Sequence, residues 1–117
     1  GLQAVIAVCG PDGNPVAVHV MDDAYLVSFE VALKKAYTSA SVKMSTMELA
    51  ELIKPGNTFQ GLDKLQGDKM VFFGGGVPLF ADGRLIGALG VSGGTGEQDN
   101  GIAQYALKVL PEILEER

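Results

Sequence analysis

The chain has 117 residues, of which 47% are hydrophobic and 20% are charged. This length and composition predict one globular domain that buries its core without disulfides or metal. The net charge of −5 has the wrong sign for proteins that bind nucleic acids or anionic membranes, and no apolar run approaches the roughly 20 residues of a membrane span. One histidine and one cysteine exclude a classical zinc site within one subunit.

The first half of the chain predicts a β-hairpin followed by two helices. Leu2–Cys9 is a Val- and Ile-rich run that ends at a turn, and Pro15–Met21 alternates like its hairpin partner. A helix is predicted over about residues 24–40, with an aspartate at 22 or 23 as its N-cap. Its apolar stripe consists of Leu26, Phe29, Leu33, Ala36, Tyr37 and Ala40. The capping box Ser45-Thr-Met-Glu48 predicts a second, short helix.

The second half predicts three more strands, which makes five in total. Lys69–Phe73 and Val77–Ala81 have strand composition, with Gly74–Gly76 between them. Asp82-Gly83 predicts a two-residue hairpin turn into a last strand, Arg84–Ser92. Because hairpins rather than crossovers join the strands, we expect an α+β fold with a mainly antiparallel sheet.

The last helix has a clear start and a proline near its end. Thr95-Gly-Glu-Gln98 is a second capping box, and an apolar stripe follows it at helical spacing. Pro111 lacks a backbone N–H, so we expect it to break or restart this helix.

Ten of the sixteen glycines fall between Gly74 and Gly101. Such a cluster indicates either close backbone packing or a surface that receives a ligand. Gly74–Gly76 and Gly93-Gly94 are candidates for backbone N–H groups that bind an anion, the second pair at a predicted helix start. The alternative, which we favour, is that these glycines permit tight turns and close subunit approach. No P-loop or dinucleotide motif accompanies them, which disfavours nucleotide binding.

His19, the only histidine, lies in the second predicted strand. A neutral imidazole is a common metal ligand in proteins, so His19 is the natural candidate for a ligating role. Met21 shares its strand face because side chains two residues apart point alike, and Cys9 is a further candidate for a second ligand if it faces the same way. The alternative is a half-buried strand histidine that bonds a carbonyl.

Three stretches of the chain together resemble a known family. They are Met21-Asp22 with Lys35-Ala-Tyr-Thr38, then Phe73-Gly-Gly-Gly-Val-Pro78, and then Ile86-Gly-Ala-Leu-Gly-Val-Ser-Gly-Gly94 with Asp99. In this order they resemble the haem-degrading, GlcG- and HbpS-like family, which includes the C-terminal domain of PduO-type corrinoid adenosyltransferases. We therefore expect residues 1–117 to form a single domain of this family. Its members usually carry a helix before the first strand, which we expect to be missing here.

The resemblance implies an antiparallel sheet flanked by helices, similar to profilin, in a homo-oligomer that is a dimer or an octamer. It implies haem as the cofactor, with a cobalamin-type corrinoid as the alternative tetrapyrrole, and a link to diol or glycolate metabolism. We expect a cytoplasmic protein, with a bacterial microcompartment or secretion as open alternatives. The alternative function is a non-catalytic accessory or assembly protein of a metabolic enzyme or microcompartment.

The predicted cofactor site combines His19 with the family motifs. Lys34, Lys35 and Tyr37 lie on the same predicted helix, where the two lysines are candidate partners for the haem propionates. Lys35 matches a family motif and is the better candidate of the two lysines. The alternative, which we favour, is a solvated helix face on which Glu30 pairs with Lys34. No acid–base pair identifies a catalytic reaction, so an enzymatic activity stays open. With His19 as the iron ligand, the predicted site consists of His19, Met21, Lys35, Gly74, Gly75, Gly76, Gly93 and Gly94.

Overall fold

Four strands and three helices make up the described part of the chain, residues 1–65 and 67–115, in the computed structural model. The strands are β1 (Val5–Cys9), β2 (Pro15–Val20), β3 (Gly76–Ala81) and β4 (Arg84–Ser92). The helices are α1 (Ser28–Val42), α2 (Thr46–Leu52) and α3 (Gly96–Glu115), with a 3₁₀ turn at Leu62–Lys64. The strands form one antiparallel sheet in the order β2-β1-β4-β3. The predicted α+β class and antiparallel pairing are confirmed.

Helix α1 covers one face of the sheet at close range. Val5 and Ala7 of β1 are fully buried beside Ala32 of the helix. Gly90 pairs with Ala7 in the sheet, and a Cβ at Gly90 would overlap the carbonyl of Ala32 and lie 2.7 Å from the Ala36 nitrogen. Small residues on both sides therefore let α1 lie directly on the strands.

Helix α3 packs on the opposite face, over β3 and β4. Val77, Val91 and Ala103 are fully buried there, with Ile6 and Leu89 packed against them. Because α3 lies over this half of the sheet, β2 at the far edge remains largely exposed.

The prediction of five strands is wrong, because Lys69–Phe73 lies outside the sheet. The backbone N–H of Val71 donates to Thr38 Oγ1 of α1 at 3.0 Å, and no ladder forms beside β3. A side chain of α1 thus satisfies a donor that a neighbouring strand would otherwise satisfy. The edge strand β3 also carries Pro78, which edge positions tolerate. The similarity to profilin stays a prediction.

The start of α1 also differs from the prediction. Asp23 has φ 65° and sits in a turn, and Val27 is the N-cap residue, with no side-chain cap. Two successive turns, Ala24 N to Met21 O and Ser28 N to Tyr25 O, delay the helix by about one turn. Leu26, an expected stripe residue, therefore precedes the helix and is 96% exposed, and Phe29, in the first turn of the helix, is 47% exposed.

Local signals elsewhere predicted the structure well, with one exception at Pro111. The capping box at Ser45 is present, and Thr95 N donates to Gln98 Oε1 at 2.9 Å while Gln98 N donates to Thr95 Oγ1 at 3.1 Å. The predicted break at Pro111 is wrong, since α3 continues through it. One groove is lined by leucines on both sides of the proline, Leu107, Leu110 and Leu114. Their shared packing stabilises the helix at Pro111, which has no N–H to donate. No described helix combines the length and hydropathy needed to cross a membrane.

Candidate functional site

Lys35 lies in the centre of the molecule, where α1, β4 and α3 meet. Its side chain is 1% exposed, and its Nζ donates to the Val91 carbonyl at 2.7 Å and to Asp99 Oδ2 at 3.0 Å. The ring of Phe73 lies with its centroid 5.1 Å from the same nitrogen. Burial lowers the pKa of Lys35 below its usual value, and the contact with Asp99 opposes that shift.

Asp99, in the first turn of α3, is the second polar centre of this junction. Its carboxylate accepts from Gly94 N at 2.9 Å and, with a longer contact of 3.4 Å, from Gly93 N. These are the N–H groups that the sequence suggested for an external anion. The protein's own carboxylate occupies them, and the opposite charge of Lys35 compensates its burial.

The triple glycine packs against this ion pair. A Cβ at Gly75 would lie 2.7 Å from Lys35 Nζ, and one at Gly76 would lie 2.6 Å from the Lys35 carbonyl oxygen. The Gly75 carbonyl accepts from Val91 N at 2.8 Å, and a Cβ at Gly74 would lie 2.6 Å from the Met47 Cε. This geometry favours close packing as the role of these glycines. A ligand contact by them stays a prediction.

The Lys35–Asp99 pair was not found from the sequence, although both residues stand in the family motifs. They are 64 positions apart, and no local pattern links a residue in mid-helix to one in the first turn of another helix. The only available signal was the spacing of Asp99 behind Gly93-Gly94, which indicated helix-dipole complementation alone. A propionate role for Lys35 stays a prediction, and it would require the ammonium group to leave Asp99.

His19 occupies a contrasting environment on the edge strand β2. It pairs with Ile6 of β1, so its side chain points to the face of the sheet opposite α1. It is exposed, and the described residues offer its imidazole no hydrogen bond or ion pair. Ile6 and Val8, both half-buried, and Ala17 lie on the same face. This region, His19 with Ile6, Val8 and Ala17, is called the β2 face below.

The two candidate second ligands differ in their access to His19. Met21 follows β2 and is 37% exposed, and its Sδ accepts from the backbone N–H of Ala4 at 3.3 Å. Cys9 is buried on the α1 side of β1, because it continues the alternation of Val5 and Ala7. The thiol therefore points away from the β2 face, and burial raises its pKa, which disfavours the ligating thiolate. Cys9 is excluded as a partner of His19 within one chain.

Outside the Lys35–Asp99 junction and the β2 face, the described residues offer a groove but no metal site. No three His, Cys, Asp or Glu side chains within residues 1–65 and 67–115 are grouped to hold a metal ion. A groove of about 550 Å³ runs between β3, the start of α2 and the second half of α3. Val77, Phe80 and Leu107 line it, and none of the predicted site residues does.

Comparison with known proteins identifies the family of this chain. The family model described as "Haem degrading protein HbpS-like" matches residues 1–108. The chain belongs to the HbpS-like family. This confirms the resemblance seen in the three sequence stretches, since the match extends from before β1 into α3.

Three relatives illustrate the similarity. The chain is 39% identical over 112 residues to the "Uncharacterized 15.0 kDa protein in dhaT-dhaS intergenic region" of Citrobacter freundii, covering 96% of this chain and 79% of that protein. It is 43% identical over 109 residues to the corrinoid adenosyltransferase PduO of Salmonella typhimurium, covering 93% of this chain but only 32% of PduO. The crystal structure "PduOC:Heme Complex" matches with a TM-score of 0.87 and 42% identity, over 93% of this chain and 79% of that one.

Proposed function

We propose that this chain is a haem-binding domain of the HbpS-like family in which His19 binds the iron. The single observation that supports this most is that the only imidazole of the chain is exposed and unpartnered among the described residues. A relative crystallised with haem at 42% identity supports haem as the tetrapyrrole. The proposed domain is the whole of residues 1–117, of which Gln66 and the last two residues lie outside the described part.

The β2 face suits one side of a flat, largely apolar macrocycle. Ile6, Val8 and Ala17 lie on the same face of the sheet as His19 and offer apolar contact area, and β2 is an edge strand of the sheet. A neutral imidazole nitrogen supplies the bond to iron, and haem when bound supplies redox or oxygen chemistry. The chain's own contribution in this proposal would be the imidazole of His19, which would hold the iron, and the apolar surface that would orient the ring.

The other predicted site residues have different roles in this proposal. Met21 contacts the cofactor beside His19, rather than the iron, because its sulfur accepts a hydrogen bond from Ala4. Lys35 and the glycines at 74–76 and 93–94 support the domain from the buried junction.

The test is a hemin titration followed by the Soret band, with wild type, His19→Ala and Val20→Ala. Val20 pairs with Val5 and points to the α1 side, so its truncation is a matched control on the same strand. We expect a red-shifted, saturable Soret band for the wild type and for Val20→Ala. His19→Ala should lose the shift and at least tenfold in affinity, which corresponds to roughly 1.4 kcal/mol. Identical titrations for all three proteins would contradict the proposal.

The proposed physiological setting is cobalamin-linked diol metabolism in the cytoplasm or in a microcompartment. Support comes from the names of two relatives, a corrinoid adenosyltransferase and a protein of the dhaT-dhaS region. The lone, buried Cys9 fits a reducing compartment. A corrinoid is the alternative ligand, and titration with hydroxocobalamin in place of hemin tests it directly.

An oligomeric accessory protein is the second candidate function, and an exposed apolar segment favours it. Tyr25, Leu26, Val27 and Phe29 are between 47% and 96% exposed, next to the free edge of β2. We propose that a second copy of the chain covers this segment in a dimer, from which an octamer is built. Light scattering should give more than the monomer mass for the wild type and a smaller assembly for Leu26→Ser. A stable oligomer without affinity for hemin would favour this function over the first.

A further inference from the structure

A cavity of about 380 Å³ lies between the β1–β2 turn and α1, apart from the β2 face. Leu33 and Tyr37 of α1 and Pro15 at the start of β2 form apolar walls, and Lys34 and Lys69 stand beside them. Its volume falls at the small end of ligand pockets, which span about 300–1,000 Å³. Pro15 and His19 are four residues apart, roughly 13 Å along a strand, so the cavity and the proposed iron ligand are separate.

The turn at one side of this open cavity is held by hydrogen bonds within it. Gly10 N donates to the Asn14 carbonyl at 2.9 Å, and Gly13 N donates to the Gly10 carbonyl at 3.0 Å. Asp12 accepts from both the backbone and the side-chain nitrogen of Asn14, and these bonds lower the pKa of Asp12. The cavity wall is thus preformed, which reduces the entropy cost of binding.

Gly13 lets the turn approach the aromatic ring of Tyr37 closely. Its φ is 84°, and a Cβ at this position would lie 2.9 Å from Tyr37 Cδ1. The turn therefore contacts the Tyr37 ring directly, and the ring forms part of the cavity floor. A flat or narrow apolar body finds a matching surface here.

The charged residues that line this cavity are two cations, Lys34 and Lys69, and one anion, Glu30, in a chain of net charge −5. Lys69 has no ion-pair partner within the described ranges. Lys34 Nζ lies 3.7 Å from Glu30, whose side chain is 70% exposed, so that ion pair is weak and open to competition. Two ammonium groups beside apolar walls favour a ligand that has an anionic end and an apolar body.

We propose that this cavity binds a small organic carboxylate, with its charge between Lys34 and Lys69 and its apolar body against Leu33 and Tyr37. The proposal goes beyond haem binding and does not depend on it. It gives the domain a second ligand, so that a small metabolite and a tetrapyrrole occupy opposite parts of the β1–β2 hairpin.

The experiment is an NMR titration of the ¹⁵N-labelled full chain with benzoate and with hexanoate, probes with a flat and an aliphatic body. We expect saturable shifts at the amides of residues 10, 12–14 and 33–37 for at least one probe. Benzamide, which has the shape of benzoate without its charge, should bind about tenfold more weakly. Lys69→Met and Lys34→Met should each weaken binding several-fold. Lys54→Met, an exposed lysine paired with Glu51 outside the cavity, should leave binding unchanged.

Three results would overturn the proposal: no saturable shift with either carboxylate, equal binding of benzamide, or an equal loss in Lys54→Met. A hemin titration of the same variants separates this site from the proposed function. Lys69→Met should keep the hemin affinity of the wild type, whereas His19→Ala should keep the carboxylate affinity. If the wild type does not bind hemin but binds a carboxylate as expected, the haem proposal is wrong and the proposal of a carboxylate site is supported.

Discussion

The Lys35–Asp99 junction and the β2 face use polar groups in opposite ways. At the junction, a lysine and a carboxylate that are 1% and 2% exposed bond to each other and to backbone groups from Val91 and Gly94. On the β2 face, the imidazole of His19 is exposed and has no partner among the described residues. Lys35 and Asp99, which stand in the family motifs, thus stabilise the fold, while the imidazole for which we propose a ligand role lies exposed on the edge strand β2.

The largest expected effect is on stability, from Asp99→Ala. Removing this carboxylate leaves the Lys35 ammonium buried without its opposite charge and leaves the N–H of Gly94 unpaired. We expect the free energy of unfolding to fall by roughly 3–5 kcal/mol, measured by urea denaturation. Lys54→Met, which breaks the exposed pair with Glu51, is the matched control and should change it by less than about 1 kcal/mol. Equal losses in both variants would contradict the claim that the buried Lys35–Asp99 pair contributes more to stability than an exposed ion pair.

Two glycine substitutions test the difference between a buried and an exposed position through packing alone, without a change of charge. Gly90→Ala places a methyl group where the Ala32 carbonyl of α1 lies, so we expect a loss of roughly 1–3 kcal/mol. Gly101 lies inside α3 with open space around it, and Gly101→Ala should stabilise the protein by about 0.5–1 kcal/mol. Thermal melts of the two variants should shift in opposite directions. A stable Gly90→Ala protein would mean that α1 is not held against β4 as described.

The lowered pKa of Lys35 predicts a smaller effect, a pH-dependent stability. The unfolded chain binds a proton at Lys35 up to about pH 10.5, while the folded protein releases it at lower pH. The unfolded state therefore binds more protons in that window, and the free energy of unfolding should rise as the pH increases through it. Comparing the pH dependence of urea unfolding in wild type and Lys35→Met isolates this contribution. The same slope in both proteins would show that Lys35 does not titrate in this window.

The smallest expected effect is that of Met21→Leu on hemin binding. The Sδ of Met21 accepts from Ala4 N, and leucine keeps the apolar volume while removing this weak acceptor. We expect the hemin affinity to change by no more than about twofold and the Soret maximum to stay in place. A displaced Soret band would instead make Met21 an iron ligand.

Local sequence signals predicted the elements that depend on local chemistry. The turn at Asp82-Gly83 and the bounds Arg84–Ser92 of β4 follow from residues that favour positive φ between two strand segments. The capping boxes at Ser45 and Thr95 likewise involve contacts three residues apart. Interactions of this kind can be predicted from a single sequence because the two partners are only a few residues apart.

The errors arose where distant residues decide the structure. Lys69–Phe73 has strand composition, but Thr38 of α1 takes the N–H of Val71. Leu26 has helical spacing with Leu33, yet two turns delay the helix and leave Leu26 exposed. The Lys35–Asp99 contact joins residues 64 positions apart, so it was accessible only through the fold.

Iron coordination at His19 is the most direct test of the claim that chemistry lies on the β2 face. Electron paramagnetic resonance of the ferric hemin complex, recorded together with the melting temperature, separates ligation from folding. We expect His19→Ala to lose the signal of an imidazole-bound iron and to keep the melting temperature of the wild type, because the exposed side chain has no partner among the described residues. An unchanged signal in His19→Ala would contradict iron binding at His19 and move the iron site elsewhere.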